Sequence, residues 1–173
     1  MVIRKAIKED AYSIAKVHVE SWKQTYKGII SDKILSKLTV DKRAELWEKS
    51  LGDPENEVIV YVAENEKGCV IGFASGGINR SFENEFQGEL HAIYLLNQYH
   101  GNKIGYNLFK NIIIELYNKD IKSLKVWVLT DNPSITFYEK LGGKPIEKKH
   151  IKFGNDHLEA IALGWKNINC ILN

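Results

Sequence analysis

The sequence predicts an α+β domain built on one mixed sheet of six to seven strands, mostly antiparallel, flanked by about four helices. Three observations predict it. Apolar residues recur at helical spacing over residues 11–26, 40–51 and 104–118. Short runs rich in β-branched and aromatic residues occupy 2–7, 58–64, 69–78, 89–96, 124–129, 146–153 and 157–163. Their order, β, α, α, β, β, β, α, β, α, β, β, sets an antiparallel meander before one βαβ unit. That makes 89–96 and 124–129 parallel neighbours joined by a right-handed helical crossover.

Taken in order, the strand 2–7 is broken by Lys8-Glu9-Asp10, where Asp10 suits a helix cap. Ile14, Val17, Ser21, Trp22 and Thr25 then follow a period near 3.6, and Gly28 stops the helix. A short helical piece is expected within 31–38, and Thr39 caps the next helix. Gly52-Asp53-Pro54 ends that helix. Asn65-Glu66-Lys67-Gly68 reads as a hairpin turn, Gly72, Gly76 and Gly77 bend the return strand, and residues 79–87 read as an exposed polar loop. In the helix 104–118, Ile104, Leu108, Ile112, Ile113 and Leu116 share one side. Asn132 and Pro133 suit the start of a short helix closed by Gly142-Gly143, and Gly154-Asn155-Asp156 joins the last two strands as a hairpin.

Length and composition narrow the function classes. A chain of 173 residues reads as one domain, 1–173, large enough to bury a core without staples. A net charge of +2, with both signs mixed along the chain, argues against nucleic-acid and membrane partners. Two cysteines far apart in sequence, Cys69 and Cys170, suit reduced thiols, and with no apolar signal core or spanning run the expected location is the cytoplasm. No His/Cys/Asp spacing suits a metal.

The stretch His100-Gly101-Asn102-Lys103-Ile104-Gly105 follows a strand and opens a helix. Free backbone N–H groups and the helix dipole meet there, an arrangement suited to a pyrophosphate. It fits neither the Gly-x-Gly-x-x-Gly dinucleotide pattern nor Gly-x-x-x-x-Gly-Lys-Ser/Thr.

Three segments then carry a resemblance over nearly the whole chain. Residues 89–105 resemble a strand–loop–helix motif ending in Gln/Arg-x-x-Gly-x-Gly/Ala. Residues 132–143, Asn-Pro-Ser-Ile-Thr-Phe-Tyr-Glu-Lys-Leu-Gly-Gly, resemble a second cofactor motif with an Asn, a Phe-Tyr pair and a closing Gly. Residues 18–28 resemble the helix-to-loop segment bordering an acceptor pocket in one bacterial subgroup. The family is the GNAT superfamily of acetyl-CoA-dependent N-acetyltransferases. His100 stands where Gln or Arg is usual, and Lys103 where the first glycine is usual. The Lys103 side chain either hinders the pyrophosphate or pairs with it.

The resemblance implies an N-acetyltransferase that moves the acetyl group of acetyl-CoA to a primary amine of a small molecule or peptide by direct attack in a ternary complex. The alternative is a catalytically weak CoA-binding sensor of the same fold. Acetyl-CoA is the expected co-substrate, with no metal, and the chain is expected to be a monomer or homodimer. By the same resemblance, the pantetheine lies between strands 89–96 and 124–129, which splay apart. Backbone groups of Tyr94, Leu95 and Leu96 pair with it, and an N–H there, first of all that of Leu95, polarises the thioester carbonyl. Amides from His100, Gly101, Asn102, Lys103, Ile104, Gly105 and Tyr106 cradle the diphosphate, with Asn132, Ser134 and Lys140 as further cofactor contacts.

The resemblance also implies Tyr138, the Tyr of the Phe-Tyr pair, as general acid, a role that a phenol protonated at pH 7 suits. Glu89, eleven residues before His100, matches by resemblance the glutamate that some family members use as base, and His91, two residues on and on the same side of a regular strand, is its rival. Trp22 and Tyr26, four apart on one helix face, either wall the acceptor site or pack the core. Glu83, Glu85 and Glu89 would favour a cationic acceptor.

Overall fold

A computed structural model describes residues 1–79 and 86–172; within the expected 79–87 loop, Glu83 and Glu85 lie outside the described residues. Seven strands form one sheet: β1 (Val2–Lys5), β2 (Ile59–Glu64), β3 (Val70–Ile78), β4 (Gly88–Leu95), β5 (Leu124–Leu129), β6 (Lys144–Phe153) and β7 (Asp156–Trp165), in the spatial order β1-β2-β3-β4-β5-β7-β6. Among these seven strands of the described residues, β4 and β5 pair in parallel and the other neighbours pair antiparallel. Among the described residues, five α-helices accompany the sheet: α1 (Ala11–Tyr26), the single turn α2 (Asp32–Leu35), α3 (Val40–Gly52), α4 (Ile104–Asn118) and α5 (Ile135–Lys140).

Helix α4 buries Ile104, Leu108, Phe109, Ile112, Ile113 and Leu116 against one face of the sheet, where Leu90, Leu124, Val126 and Leu163 meet it. Tyr138 and Trp165 close that core beside α5. On the opposite face Ile14 and Val17 of α1 pack on Val60, Val62 and Phe73, with Trp47 and Leu51 of α3 against them. A third cluster joins Tyr26 at the end of α1 to Ile30, Leu35, Leu129 and Ala160, which seats α1 beside the far end of β5.

Several boundaries differ from the sequence reading. β1 stops at Lys5 because Asp10 draws the backbone into a turn: its carboxylate accepts the Ile7 N–H at 2.8 Å and two bonds from the Arg4 guanidinium at 2.7 and 2.8 Å. Asp10 therefore braces the strand end and makes no cap bond to α1. Only Asp32–Leu35 of the 31–38 stretch is helical. The final hairpin is longer than expected, since β6 starts at Lys144 and β7 runs to Trp165. Phe86, inside the stretch read as an exposed loop, is buried, and its ring fills the space a Cβ on Gly164 would need.

Candidate active site

The site begins where two parallel strands part. β4 and β5 pair at Gly88–Leu124, Glu89–Lys125 and Leu90–Val126, and no further. β4 stays tied to β3 as far as Leu95, and β5 to β7 as far as Leu129, so the inner edges open while the outer edges hold. A β-bulge marks the opening: Ser75 pairs with Ala92 but Gly76 with Leu90, which leaves His91 as the extra residue. The period-of-two rule that put His91 on the side of Glu89 breaks at this residue.

Ladder alternation decides which backbone groups face the gap. Leu96 N–H donates to Ile71 O at 3.0 Å, so with the β3–β4 register Tyr94 and Leu96 spend their amides on β3. Ile93 and Leu95 turn theirs toward the gap. Ile93 was not singled out in the sequence; its signal was the alternation itself, readable once the edge facing β3 was known.

On the α4 side the gap opens into a groove of about 440 Å³ lined by Ile93, Leu95, His100, Gly101, Lys103, Ile104, Gly105, Tyr106, Pro133, Ser134, Phe137 and Tyr138. The chain enters α4 through two left-handed residues, Gly101 at φ 81° and Lys103 at φ 58°. His100 places Nε2 2.9 Å from the Leu95 carbonyl oxygen. Asn102 is exposed and turns its amide to the carbonyls of Tyr99 and His100, both at 3.3 Å. Lys140 is exposed on the last turn of α5 and is not among the groove residues.

On the α1 side the same gap continues into a chamber of about 80 Å³, lined by Ser21, Thr25, Tyr26, residues 91–95, His100, residues 126–128, Asn132, Ser134 and Tyr138. Tyr138 is therefore common to groove and chamber. Its phenol is pushed well above the ordinary value by burial, then by the facing Tyr26 phenol, so it stays protonated at any working pH.

A strap of polar contacts crosses the opening. Asn132 Nδ2 donates to the Tyr26 hydroxyl at 3.1 Å, and Asn132 Oδ1 accepts the Ser134 N–H at 2.8 Å at the head of α5. Trp22 Nε1 donates to the Tyr94 hydroxyl at 2.6 Å. Burial, and next the facing Tyr26, raises the Tyr94 phenol. Trp22 also stacks edge-on against Tyr26 at 4.8 Å and Phe153 at 6.2 Å. Of the two, Tyr26 lines the chamber and Trp22 does not, and both join the packing around it.

Glu89 lies at the closed end of the gap, its carboxylate 3.9 Å from the buried Lys125 ammonium, and does not line the chamber. His91 does line it. Lys149 sits over the Trp127 ring at 3.7 Å beside this mouth. His18, unassigned in the sequence, stacks on Tyr94 at 5.1 Å and accepts the Trp47 indole N–H on Nδ1 at 3.3 Å.

Comparison with known proteins decides what this geometry belongs to. Residues 16–143 match the model of the Acetyltransferase (GNAT) family. The chain belongs to this family. It is 35% identical to YuaI, an uncharacterized N-acetyltransferase of Bacillus subtilis, over 99% of this chain and 96% of that protein. It is 28% identical to a spermidine N(1)-acetyltransferase of Thermoplasma acidophilum over 82% of this chain and 87% of that protein. Among solved structures, the PaiA N-acetyltransferase of Thermoplasma acidophilum in complex with coenzyme A superposes with a TM-score of 0.69 at 26% identity, covering 92% of this chain and 96% of that one. The fold is shared with that N-acetyltransferase structure, and the chain is an acyltransferase of the N-acetyltransferase class.

Proposed function

We propose that this GNAT protein transfers the acetyl group of acetyl-CoA to a primary amine of a small molecule or peptide, by direct attack in a ternary complex. The observation that carries the reading is the gap beyond Leu90 and Val126, which opens to a groove on one face and a polar chamber on the other, with Tyr138 at the junction.

The residues present fit the co-substrate. Ile93 and Leu95 offer strand-type donors and acceptors to the pantetheine amides, and the Leu95 carbonyl keeps a second lone pair beside the His100 ring. The turn over Gly101 and Lys103 and the first amides of α4 suit the diphosphate, and the Lys103 ammonium adds charge. Ser134 lines the groove at the head of α5, and Asn132 is the hinge of the strap. Acetyl-CoA supplies an acyl group activated as a thioester. The gap-facing N–H of Ile93 or Leu95 polarises its carbonyl.

Tyr138 is the acid that protonates the departing sulfur: its phenol carries a proton at neutral pH and lines both the groove and the chamber. His91, directly or through water, is better placed than Glu89 to take the amine's proton, because it lines the chamber while Glu89 is occupied with Lys125. Both cysteines are exposed and neither lines groove or chamber, which supports direct transfer over a cysteine-bound acyl group.

The test starts with thermal shifts in acetyl-CoA, CoA, ATP and NAD. A ligand at one hundred times its Kd adds about 2.7 kcal/mol. Acetyl-CoA and CoA are expected to stabilise the protein; stabilisation by ATP or NAD alone ends the reading. Thiol release is then followed with a panel of amines, spermidine included because the Thermoplasma relative is named for it. Binding without turnover on any amine points to the sensor. Tyr138→Phe is expected to lower kcat by about 10²-fold, the usual scale for losing a general acid, while keeping the acetyl-CoA shift.

A further inference from the structure

Among the described residues, one buried side-chain polar atom has no hydrogen-bond partner. The Ser21 hydroxyl is buried, with the residue 2% exposed, and makes no hydrogen bond among the described residues. It sits on α1 and lines the chamber at the parting of β4 and β5. A hydroxyl left unpaired away from water costs about 1–3 kcal/mol, so an orphan of this kind asks for a ligand. The chamber has room for a water or a small polar group.

Position limits what that group is. Groove and chamber share Ile93, Leu95, His100, Ser134 and Tyr138, so the thioester carbon, held between them, is presented to both. The cofactor body fills the groove on the α4 side. A nucleophile approaching the carbonyl carbon must come from the other face, where α1 contributes Ser21, Thr25 and Tyr26. Thr25 and Ser21 stand four residues apart, on one stripe of the helix.

We propose that Ser21 is a catalytic residue whose hydroxyl oxygen accepts a hydrogen bond from the nitrogen of the acceptor amine and aims its lone pair at the thioester carbonyl. This rests on the transferase reading above. The bond changes close without any further reagent: the C–N bond forms, the C–S bond breaks, the nitrogen yields a proton to His91 or water, and the sulfur takes the Tyr138 proton. Ser21 exchanges no proton in the step. It holds the amine in line for attack and excludes poses with the nitrogen turned away.

Stability and catalysis separate this role from a structural one. Ser21→Ala removes an unpaired hydroxyl, so the melting temperature is expected to stay the same or rise. The shift produced by acetyl-CoA stays the same. With any amine that the wild type acetylates, kcat/KM falls about tenfold or more, the scale of one lost hydrogen bond to a reacting group. A wild-type kcat/KM in Ser21→Ala overturns the assignment and leaves the transferase reading standing. A melting temperature lowered by several degrees also overturns it, because the hydroxyl would then have a structural partner. If the wild type releases no thiol with any amine while acetyl-CoA binds, the transferase reading fails and Ser21 falls with it.

Discussion

Lys103 carries the clearest cost in the site. It caps α4 at φ 58°, in the left-handed region where a side chain crowds the following carbonyl. That conformation costs a non-glycine residue about 1–2 kcal/mol. Lys103 also lines the groove expected to take the diphosphate, so its charge has a use there. Lys103→Gly should therefore separate the two effects. Stability is expected to rise by about 0.5–1 kcal/mol by denaturant unfolding, the strain relief less the entropy glycine adds to the unfolded chain. CoA affinity should fall, and the deficit should shrink at high salt as screening removes the contribution of the ammonium. A loss of stability in Lys103→Gly would refute the strain argument. The sequence showed that Lys103 stands at a glycine position. It did not show the sign of φ, which depends on how tightly α4 must turn off β4.

Between elements, the Asn132 strap ties the end of α1 to the head of α5. One amide group bonds Tyr26 on α1 and the first turn beside Tyr138. Asn132→Ala loses a buried hydrogen bond and a helix-start bond, each worth about 1 kcal/mol, so a loss of about 2 kcal/mol in unfolding free energy is expected by denaturant titration. Tyr26→Phe removes only the first bond. The double variant should lose less than the sum, since both remove the same contact; strict additivity would show that the strap does not couple the two. The helix-start role of Asn132 was legible, because Asn-Pro is a local signal. Its bond to Tyr26 was not, since the partners are 106 residues apart. The bulge at His91 was hidden for the same reason: β4 reads as a regular strand, and only its pairing with Gly76 on β3 shows the extra residue.

For the whole molecule, His18 links the aromatic core to pH. Burial, and then the Arg43 charge, depresses it from 6.5 to about 3. The groups facing it are Trp47, which donates to Nδ1, the rings of Trp22, Phe73 and Tyr94, and Arg43. The unfolded chain takes up a proton as pH falls through 6.5, while the folded chain refuses it until about 3. Stability should thus decline from pH 6.5 toward 3 on account of this residue and level off below. Carboxylates such as Asp10, held low first by the Arg4 hydrogen bonds, add their own acid loss. The measurement is therefore the difference between wild type and His18→Gln: melting temperatures across pH 7 to 4 should fall less steeply in the variant. Parallel slopes would remove His18 from the account.

Local chemistry determined the order of the elements and the parallel βαβ crossover, because helical period, strand alternation and turn residues are written in neighbouring positions, and the family was legible as a resemblance carried by three segments. Tertiary structure decided what those elements do together. Which backbone edges of β4 face the gap, that Glu89 meets Lys125 and lies outside the chamber, that Tyr26 holds Asn132, and that Ser21 is buried without a hydrogen-bond partner among the described residues all depend on residues far apart in the chain. The physical reason is that a site made by two strands parting exists only when both are anchored on their outer edges, and those anchors, β3 and β7, are set by the whole sheet.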